Sequence, residues 1–548
     1  MDKGAQKFCR RLGQLRLERN IHESHWSDCY KFGAPERQQN FSSTSDNKGQ
    51  RENDRADLYD STAADSVQVL TSMIMNGVTP ANAIWFKAQP DGIDDLAELT
   101  EGERWLEDVC QFIWRNIHAA NFDSESFETI TDVVTAGWGV LFIDIDREAG
   151  GGYVFESWHP GNCFIASTRA DGQIDTIYRE HTMTAETMIN TYSEENCHFQ
   201  VVQMARTAPD TRYKLLHVIE PRKQVGAGQL NKAMPFASYH IDVDNALIMK
   251  ESGFHEFPCA IPRLRRLPNS NYGNGQMTIA LPDAKQANEL MKLTVQSAEL
   301  QLCGMWIAED DGTLNPHTVR IGPRKIIVAN SVDSMKRLDD GANFQLPEYL
   351  LTNLQGSIRK KLMADQLPPV GTQQMTATEI HTRVELIRQM LGPMYGRLQT
   401  EYLISILDRC FGLALRAGAL GQPPQELLGR NLSFKFVSPL ARSQRLEEVM
   451  ATEQFIASVG QMAAVEPTIL DNVDFDAVAV VTGTGRGVPQ NIMRTTEEVA
   501  ELRQARQKAK EEQAAAQQQQ AMQQTILEKG GDALAQSMGG QLGTEVMQ

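Results

Sequence analysis

No Cys-x-x-Cys pair occurs in this 548-residue sequence, and its eight cysteines (Cys9, Cys29, Cys110, Cys163, Cys197, Cys259, Cys303 and Cys410) are scattered. That spacing argues against a zinc ribbon or a disulfide framework and points to a reducing, cytoplasmic site of synthesis. The N-terminal MDKGAQKFCRR has no apolar signal core. No run approaches the roughly 18 apolar residues a membrane-spanning helix needs, the best candidates being broken by Asp144 and Arg416. A soluble chain with no membrane partner is expected. Cations are in deficit: 53 Lys and Arg against 70 Asp and Glu give a formal net charge of -17. Tight capture of phosphate backbones rests on clustered Lys and Arg, so this balance argues against it. A surface that lets DNA slide without sticking would also be acidic overall, so charge does not separate "no DNA" from "DNA in transit". Catalytic signatures are missing too. There is no Gly-x-x-x-x-Gly-Lys-Ser/Thr, no His-Glu-x-x-His and no Gly-x-Ser-x-Gly, and the eleven histidines do not cluster with a nucleophile.

What is present is a long chain with 41% hydrophobic and 22% charged residues, enough for two to four domains. Its periods predict a mainly helical α+β protein. The first thirty residues read as a helix with Leu12, Leu15, Ile21, Trp26 and Tyr30 among charged positions. The polar stretch 38–56 reads as an arm, and helices return at 61–76 and at 100–120, the latter opened by a Thr100/Glu103 capping box. From Gly137 the period becomes two: GVLFIDID and YVFESW make a hairpin, and short strands follow around 174–182, 213–220, 236–243 and 246–250. After a Gly/Asn-rich junction, Pro282 suits the first turn of a helix over 282–301. MWIAEDDGTLNP then reads as a hairpin turning at Asp311-Gly312, KIIVA as another strand, and a helix begins near Pro347 with Leu351, Leu354, Ile358 and Leu362 on one face. Two helices flanking a β tip make a stalk.

The longest helix is expected over Met375–Leu420. Thr376 and Glu379 have capping-box spacing, and Ile380, Val384, Ile387, Leu391, Met394 and Leu398 fall on one stripe. Gly392-Pro393 should bend it, because the apolar phase resumes afterwards, and Gly421-Gln422-Pro423-Pro424 should end it. Beyond it come a strand and helix near 434–460 and a charged helix over 493–528. GTGRG at 483–487, after VAVV read as a strand, lacks the third glycine of a dinucleotide fingerprint, since Val488 stands there.

Two constellations could hold metals. His22, His25 and Cys29 share a helix face, but zinc sites use tighter pairs and enclosing turns, so an amphipathic helix is the plainer reading. Asp144 and Asp146 share one side of a strand and could hold Mg2+ as in a nuclease or phosphoryl-transfer enzyme, although carboxylates before a turn are more often solvated. No metal and no cofactor is expected.

Several stretches together resemble the portal (head-to-tail connector) proteins of T7-like short-tailed bacteriophages: MTATEIHTRVELIRQMLGPMYGRLQTEYL above all, then YGNGQMTIALPDAKQANELMK, VSPLARSQRLEEV, and the N-terminal helix followed by its polar arm. The similarity runs in order over nearly the whole chain. It implies a portal fold with wing, stem, clip and crown regions, twelve copies around an axial channel, and no enzyme activity. The regions implied are a wing over 1–267, a junction and first stem helix over 268–301, a clip over 302–344 and a second stem helix over 345–363. A channel loop over 364–375, a long kinked wing helix over 376–420, a wing-to-crown connection over 421–490 and crown helices with a Gln-rich tail over 491–548 complete them. Gln366, Leu367, Pro368, Pro369, Val370 and Gly371 would centre the channel loop. They carry neither an aromatic to stack on bases nor an arginine to fork a phosphate, so the loop would offer bulk. Arg359, Lys360 and Lys361 would be phosphate contacts if they face inward; facing acidic neighbours or solvent is the equal alternative. The implied role is a ring at one capsid vertex of the virion, assembled in the host cytoplasm, through which double-stranded DNA is packaged and ejected. The partners implied are the terminase packaging motor, major capsid and scaffolding proteins, and tail adaptor proteins at the clip. A Mg-dependent nuclease using Asp144 and Asp146, or a non-viral helical scaffold, is the runner-up.

Overall fold

The computed structural model describes residues 3–38, 57–81, 83–90, 101–146, 151–223, 233–303, 305–308, 335–338, 344–366, 392, 395–424, 427, 432–436, 439–463, 468, 473–486, 499 and 501–510. Two compact units emerge, one of Met1–Lys87, Val109–Gln422 and Phe434–Leu440, the other of Ala88–Asp108, Pro423–Ser433 and Ala441–Gln548. The architecture is α+β and mainly helical, as the mixture of periods predicts.

The larger unit opens with α1 (Lys3–Gly33). Phe8, Leu12, Leu15, Trp26, Cys29 and Tyr30 are buried at helical spacing. Ile21 departs from the expected stripe: it is 78% exposed, and Arg19 takes the inward place at 2%. Hydrogen bonding is the reason. Arg19 donates to the carbonyls of Pro160, Gly161 and Cys163 at 3.3, 2.8 and 3.0 Å and to Glu23 at 2.8 Å, with its guanidinium 3.9 Å from the centre of the Phe164 ring. A charge so supplied with partners can be buried where an isolated one could not.

Next come α2 (Thr62–Val78), β1 (Phe86–Pro90), α3 (Glu101–Ala119) and α4 (Phe122–Thr135). Thr100 of the expected capping box lies outside the described residues. α4, not among the expected elements, carries the fully buried Asp132, held by the Tyr30 hydroxyl at 2.9 Å and by Arg37 at 2.9 and 2.6 Å.

The expected hairpin is present as β2 (Leu141–Ile145) and β3 (Tyr153–Ser157). A larger antiparallel meander follows: β4 (Cys163–Ala166), β5 (Thr176–Thr184), then helices α5 (Ala185–Tyr192) and α6 (Phe199–Thr207), then β6 (Arg212–Pro221), β7 (Phe236–Asp242) and β8 (Leu247–Phe254). Its five strands lie side by side in chain order. Ile165, Ile177 and Ile219 are cross-strand neighbours on one face; Phe164, Tyr178 and Val218 are neighbours on the other. The isoleucines join a core containing Trp26, Trp138, Trp158 and Tyr272, whereas the second set packs on Phe8, Leu12 and Leu15 of α1. A slip of one residue would exchange the two faces, so both cores pin the register. β9 (Cys259–Ala260) completes a three-stranded sheet in the order β3-β2-β9.

β10 (Arg265–Arg266) and β11 (Gly273–Asn274) bracket the Asn-rich junction and lead into α7 (Met277–Cys303). Pro282 therefore lies inside the helix and not in its first turn. The preceding turn is secured by Met277, Ala280 and Leu281, all buried, and this packing offsets the one backbone bond that proline forfeits. β12 (Met305–Ala308) pairs antiparallel with β13 (Met335–Leu338), Met305 opposite Leu338. The KIIVA strand and the Asp311-Gly312 turn lie outside the described residues. α8 (Gln345–Lys361) follows, and its last turn meets the first turns of α7, so the two run antiparallel.

Of the long helix, Thr376, Glu379, the stripe up to Leu391, Pro393 and Met394 lie outside the described residues. From 395 the backbone is helical, with a π-helical turn at Gln399–Leu403, and continues as α9 (Ile404–Arg416). It ends a turn earlier than Gly421. Gly418 has φ 71°, the Ala419 N-H bonds the carbonyl of Ala414 and the Gly418 N-H that of Leu415, which is a Schellman end.

β14 (Leu432–Phe436) precedes α10 (Pro439–Ala463). In the smaller unit, α11 (Phe475–Arg486) replaces the strand expected at VAVV. Asp474 accepts from the amides of Asp476 and Ala477 at 3.0 and 3.1 Å, an N-cap that starts a helix there. Residues 501–510 of the expected charged helix are helical.

Candidate functional site at the paired helices

Asp283, one turn and a half into α7, sits where α8 ends. Its Oδ2 accepts from Ser357 Oγ and from Lys361 Nζ, both at 2.6 Å. Burial pushes the Asp283 carboxyl up, but the bonds from Lys361 and Ser357 outweigh it and hold the group below the usual carboxylate range. Gln276, just before α7, donates through Nε2 to the carbonyl of Lys361 at 2.7 Å. Ile358 and Leu362 are fully buried beneath these bonds. The end of α8 is thus fixed to the start of α7 by polar and apolar contacts together. Asn288 on α7 adds a second tie: Oδ1 accepts from the amides of Tyr59 and Asp60 at 2.7 and 3.3 Å, and Nδ2 donates to Asp57 at 3.0 Å.

Of the three cations proposed from sequence, Lys361 is engaged with Asp283, while Arg359 and Lys360 are exposed. All three lie in the last turn of α8, where the unpaired carbonyls attract positive charge, so part of their effect is on the helix itself. Met363 then adopts φ 57°, turning the chain, and Ala364–Gln366 form one 3-10 turn. Leu367, Pro368, Pro369, Val370 and Gly371 lie outside the described residues.

Asp144, His22, His25 and Cys29 have partners within the protein. Asp144 is 3.6 Å from Arg409, a side chain of α9 that is only 3% exposed and that also reaches Glu256 at 3.1 Å and the carbonyl of Ile143 at 3.3 Å. Arg416 bonds the same Glu256 at 2.5 and 2.6 Å. Asp144 therefore serves to neutralise a buried arginine. His25 Nε2 is 3.0 Å from Thr278 Oγ1 and 3.6 Å from Cys29 Sγ, and His22 stacks on Trp26. Burial pushes the Cys29 thiol up to about 12.

Sequence reasoning missed Asp283, Arg263 and Arg409. Arg409 carried a signal: it interrupts the apolar phase of Ile406, Cys410 and Leu413, and a charge in that phase needs a partner. Arg263, before β10, is 2% exposed and is clamped to Glu401 in the π-helical turn.

A family model described as "Bacteriophage head to tail connecting protein" matches residues 5–493. The "Probable portal protein" of Bordetella phage BPP-1 is 26% identical over 520 residues, covering 90% of this chain and 90% of the relative. The "Portal protein" of Salmonella phage epsilon15 is 24% identical over 524 residues, covering 92% and 91%. A solved structure titled "Neck of empty GTA particle computed with C6 symmetry" matches with a TM-score of 0.34 and 12% identity, covering 72% of this chain and 86% of that one. With nine-tenths of its length aligned to such relatives in one unbroken order, the chain belongs to the bacteriophage head-to-tail connecting proteins.

Proposed function

We propose that this chain is the repeating subunit of a viral portal, a ring at one capsid vertex that carries double-stranded DNA inward during packaging and outward at ejection. The family match over residues 5–493 carries this reading. The antiparallel α7/α8 pair, with β12 and β13 between its helices in sequence, supports assigning these elements to the stem and clip. The portal performs no covalent chemistry of its own. It nucleates the capsid with scaffolding and major capsid proteins, and docks the packaging motor and then the tail adaptors at the clip. No described helix is long and apolar enough to cross a membrane.

In this reading the α8 end is the base of the channel loop. The Asp283–Lys361 ion pair and the Gln276 bond hold that base still while residues 364–375 act as a valve around DNA. Arg359 and Lys360 face the channel, and a twelvefold ring turns each into a ring of twelve charges whose reach is screened over about 8–10 Å. Negative-stain images of the purified protein test the assignment: closed rings with a central hole are expected, and a population of monomers alone would overturn it. Deleting Pro368–Gly371 tests the valve, with rings expected to form while filled heads decline.

A further inference from the structure

A cleft of about 570 Å³ in the larger unit is lined by Asp171, Gln173, Arg263, Arg266, Arg397 and Glu401, with Gly396 and Thr400 on its helical side. Its charges divide into two classes. Arg263 is satisfied: it donates to Glu401 at 2.7 and 3.0 Å, to the carbonyl of Asn271 at 3.1 Å and to that of Gly172 at 3.1 Å. Asp171 is paired with Arg169 at 2.8 Å. Glu401 is spent on Arg263. What remains is cationic.

Arg397 lines this cleft with its Nη1 buried and without a hydrogen-bond partner among the described residues. Arg266 has only a 3.4 Å bond to the carbonyl of Asp171 and no carboxylate partner among the described residues. It is an exposed side chain whose guanidinium lies beside Gly172. A Cβ there would come within 2.2 Å of the guanidinium, and the φ of +71° at Gly172 is itself unfavourable for other residues. Nothing lies within 4 Å of a Cβ built on Gly396, so the helical side of the cleft stays open. Two guanidinium groups therefore share one open cleft in which, among the described residues, the lining carboxylates are already used. The chemistry that suits two neighbouring guanidinium groups is a planar oxyanion taken by the fork.

We propose that this cleft is half of a site between copies of the chain, completed by an Asp or Glu carboxylate of a second copy that bonds Arg397 and Arg266. This rests on the ring reading above. The chain itself can supply the anion: 70 Asp and Glu against 53 Lys and Arg leave a surplus of acidic side chains to donate. The other arginine clusters of this unit behave alike. Arg37 bonds Asp132 and Glu128, and Arg409 and Arg416 share Glu256. Arg266 and Arg397 are the pair in this cleft left without such a partner.

The test uses full-length protein assembled from equal parts of 14N- and 15N-labelled chains carrying Arg397→Lys, treated with a zero-length carbodiimide that joins amines to touching carboxylates. The expected product is a peptide pair of mixed isotope linking the introduced amine to an Asp or Glu of the other copy. The double variant Arg266→Glu/Arg397→Glu should melt within about 2 °C of wild type as a monomer but need at least tenfold more protein to form rings. Rings as stable as wild type, or cross-links confined to single copies, would overturn the proposal while leaving the portal reading intact. Failure of wild type itself to form rings would instead strike the portal reading. Duplex DNA binding, read by anisotropy, should be equal for wild type and the double variant; a tenfold loss would replace the carboxylate by a phosphate and overturn the proposal.

Discussion

Replacing Glu401 by alanine removes the acceptor for three donors of one residue, the amide, Nε and Nη2 of Arg263, at 3.0, 3.0 and 2.7 Å. Arg263 is 2% exposed and Glu401 14%, so water replaces little of what is lost. Removing one member of a buried pair costs about 3–5 kcal/mol, because the remaining charge is stranded in a poor solvent. A cooperative unit of about 400 residues unfolds with an entropy of roughly 0.8 kcal/mol/K, so the melting temperature should fall by about 4–6 °C. Calorimetry at fixed protein concentration reads this, since assembly shifts the apparent stability. The double variant Arg263→Met/Glu401→Leu should recover at least half the loss, because an apolar pair removes both charges together. It also strips the carbonyls of Asn271 and Gly172 of a donor, which is why full recovery is not expected. A fall below 1 °C for Glu401→Ala, or losses in the double variant that add, would refute the assignment of Arg263–Glu401 as a buried clamp.

Other perturbations probe separate links. Asn288→Ala should cost about 1–3 kcal/mol, since the amides of Tyr59 and Asp60 lose their acceptor, and hydrogen exchange at those two amides should rise. Gly412→Ala places a Cβ 2.4 Å from Glu256 Oε1, a carboxylate that Arg409 and Arg416 hold in place; destabilisation of roughly 1–3 kcal/mol is expected in urea titration, and none would mean the carboxylate can swing aside. His181 and His240 are held down to about 4, by burial first and then by Arg179 and Lys250 nearby. Both stay neutral in the fold while the unfolded chain protonates near 6.5, so stability should fall as pH drops from 6.5 to 4, by roughly 5 °C or more in melting temperature. His181→Asn/His240→Asn should shrink that fall without abolishing it, because burial also pushes His159 and His217 down. Glu256 acts lower. Burial raises it, but Arg416 and Arg409 prevail and hold it below the usual range, so its contribution is complete above about pH 4.5 and is lost as pH falls through its folded value.

The elements legible in the sequence were those whose period is long and whose faces are one-sided. α1, α2, α3 and α8 follow from apolar spacing, and β2, β3 and β5–β8 from alternation, because each buries a single face and so writes its period into the chain. The 478–481 stretch misled because a short apolar run is compatible with either strand or helix, and the cap at Asp474 decided it. α5 and α6 are too short for a period to emerge, and the start of α7 before Pro282 rests on buried contacts that local propensity opposes.

The class, the missing catalytic signatures, the helix, β and helix order of the 282–363 region and the family were legible in the sequence, since these rest on composition, period and order along the chain. Only the tertiary structure decided which charges are free. Arg19, Arg263 and Arg409 look like surface residues until the fold wraps carbonyls and carboxylates around them, and Asp144 resembles a metal ligand until Arg409 arrives from 265 positions later. Arg397 reads no differently from these in the chain. Its distinction is an Nη1 without a partner among the described residues, a property that exists only once neighbours distant in sequence have been brought together.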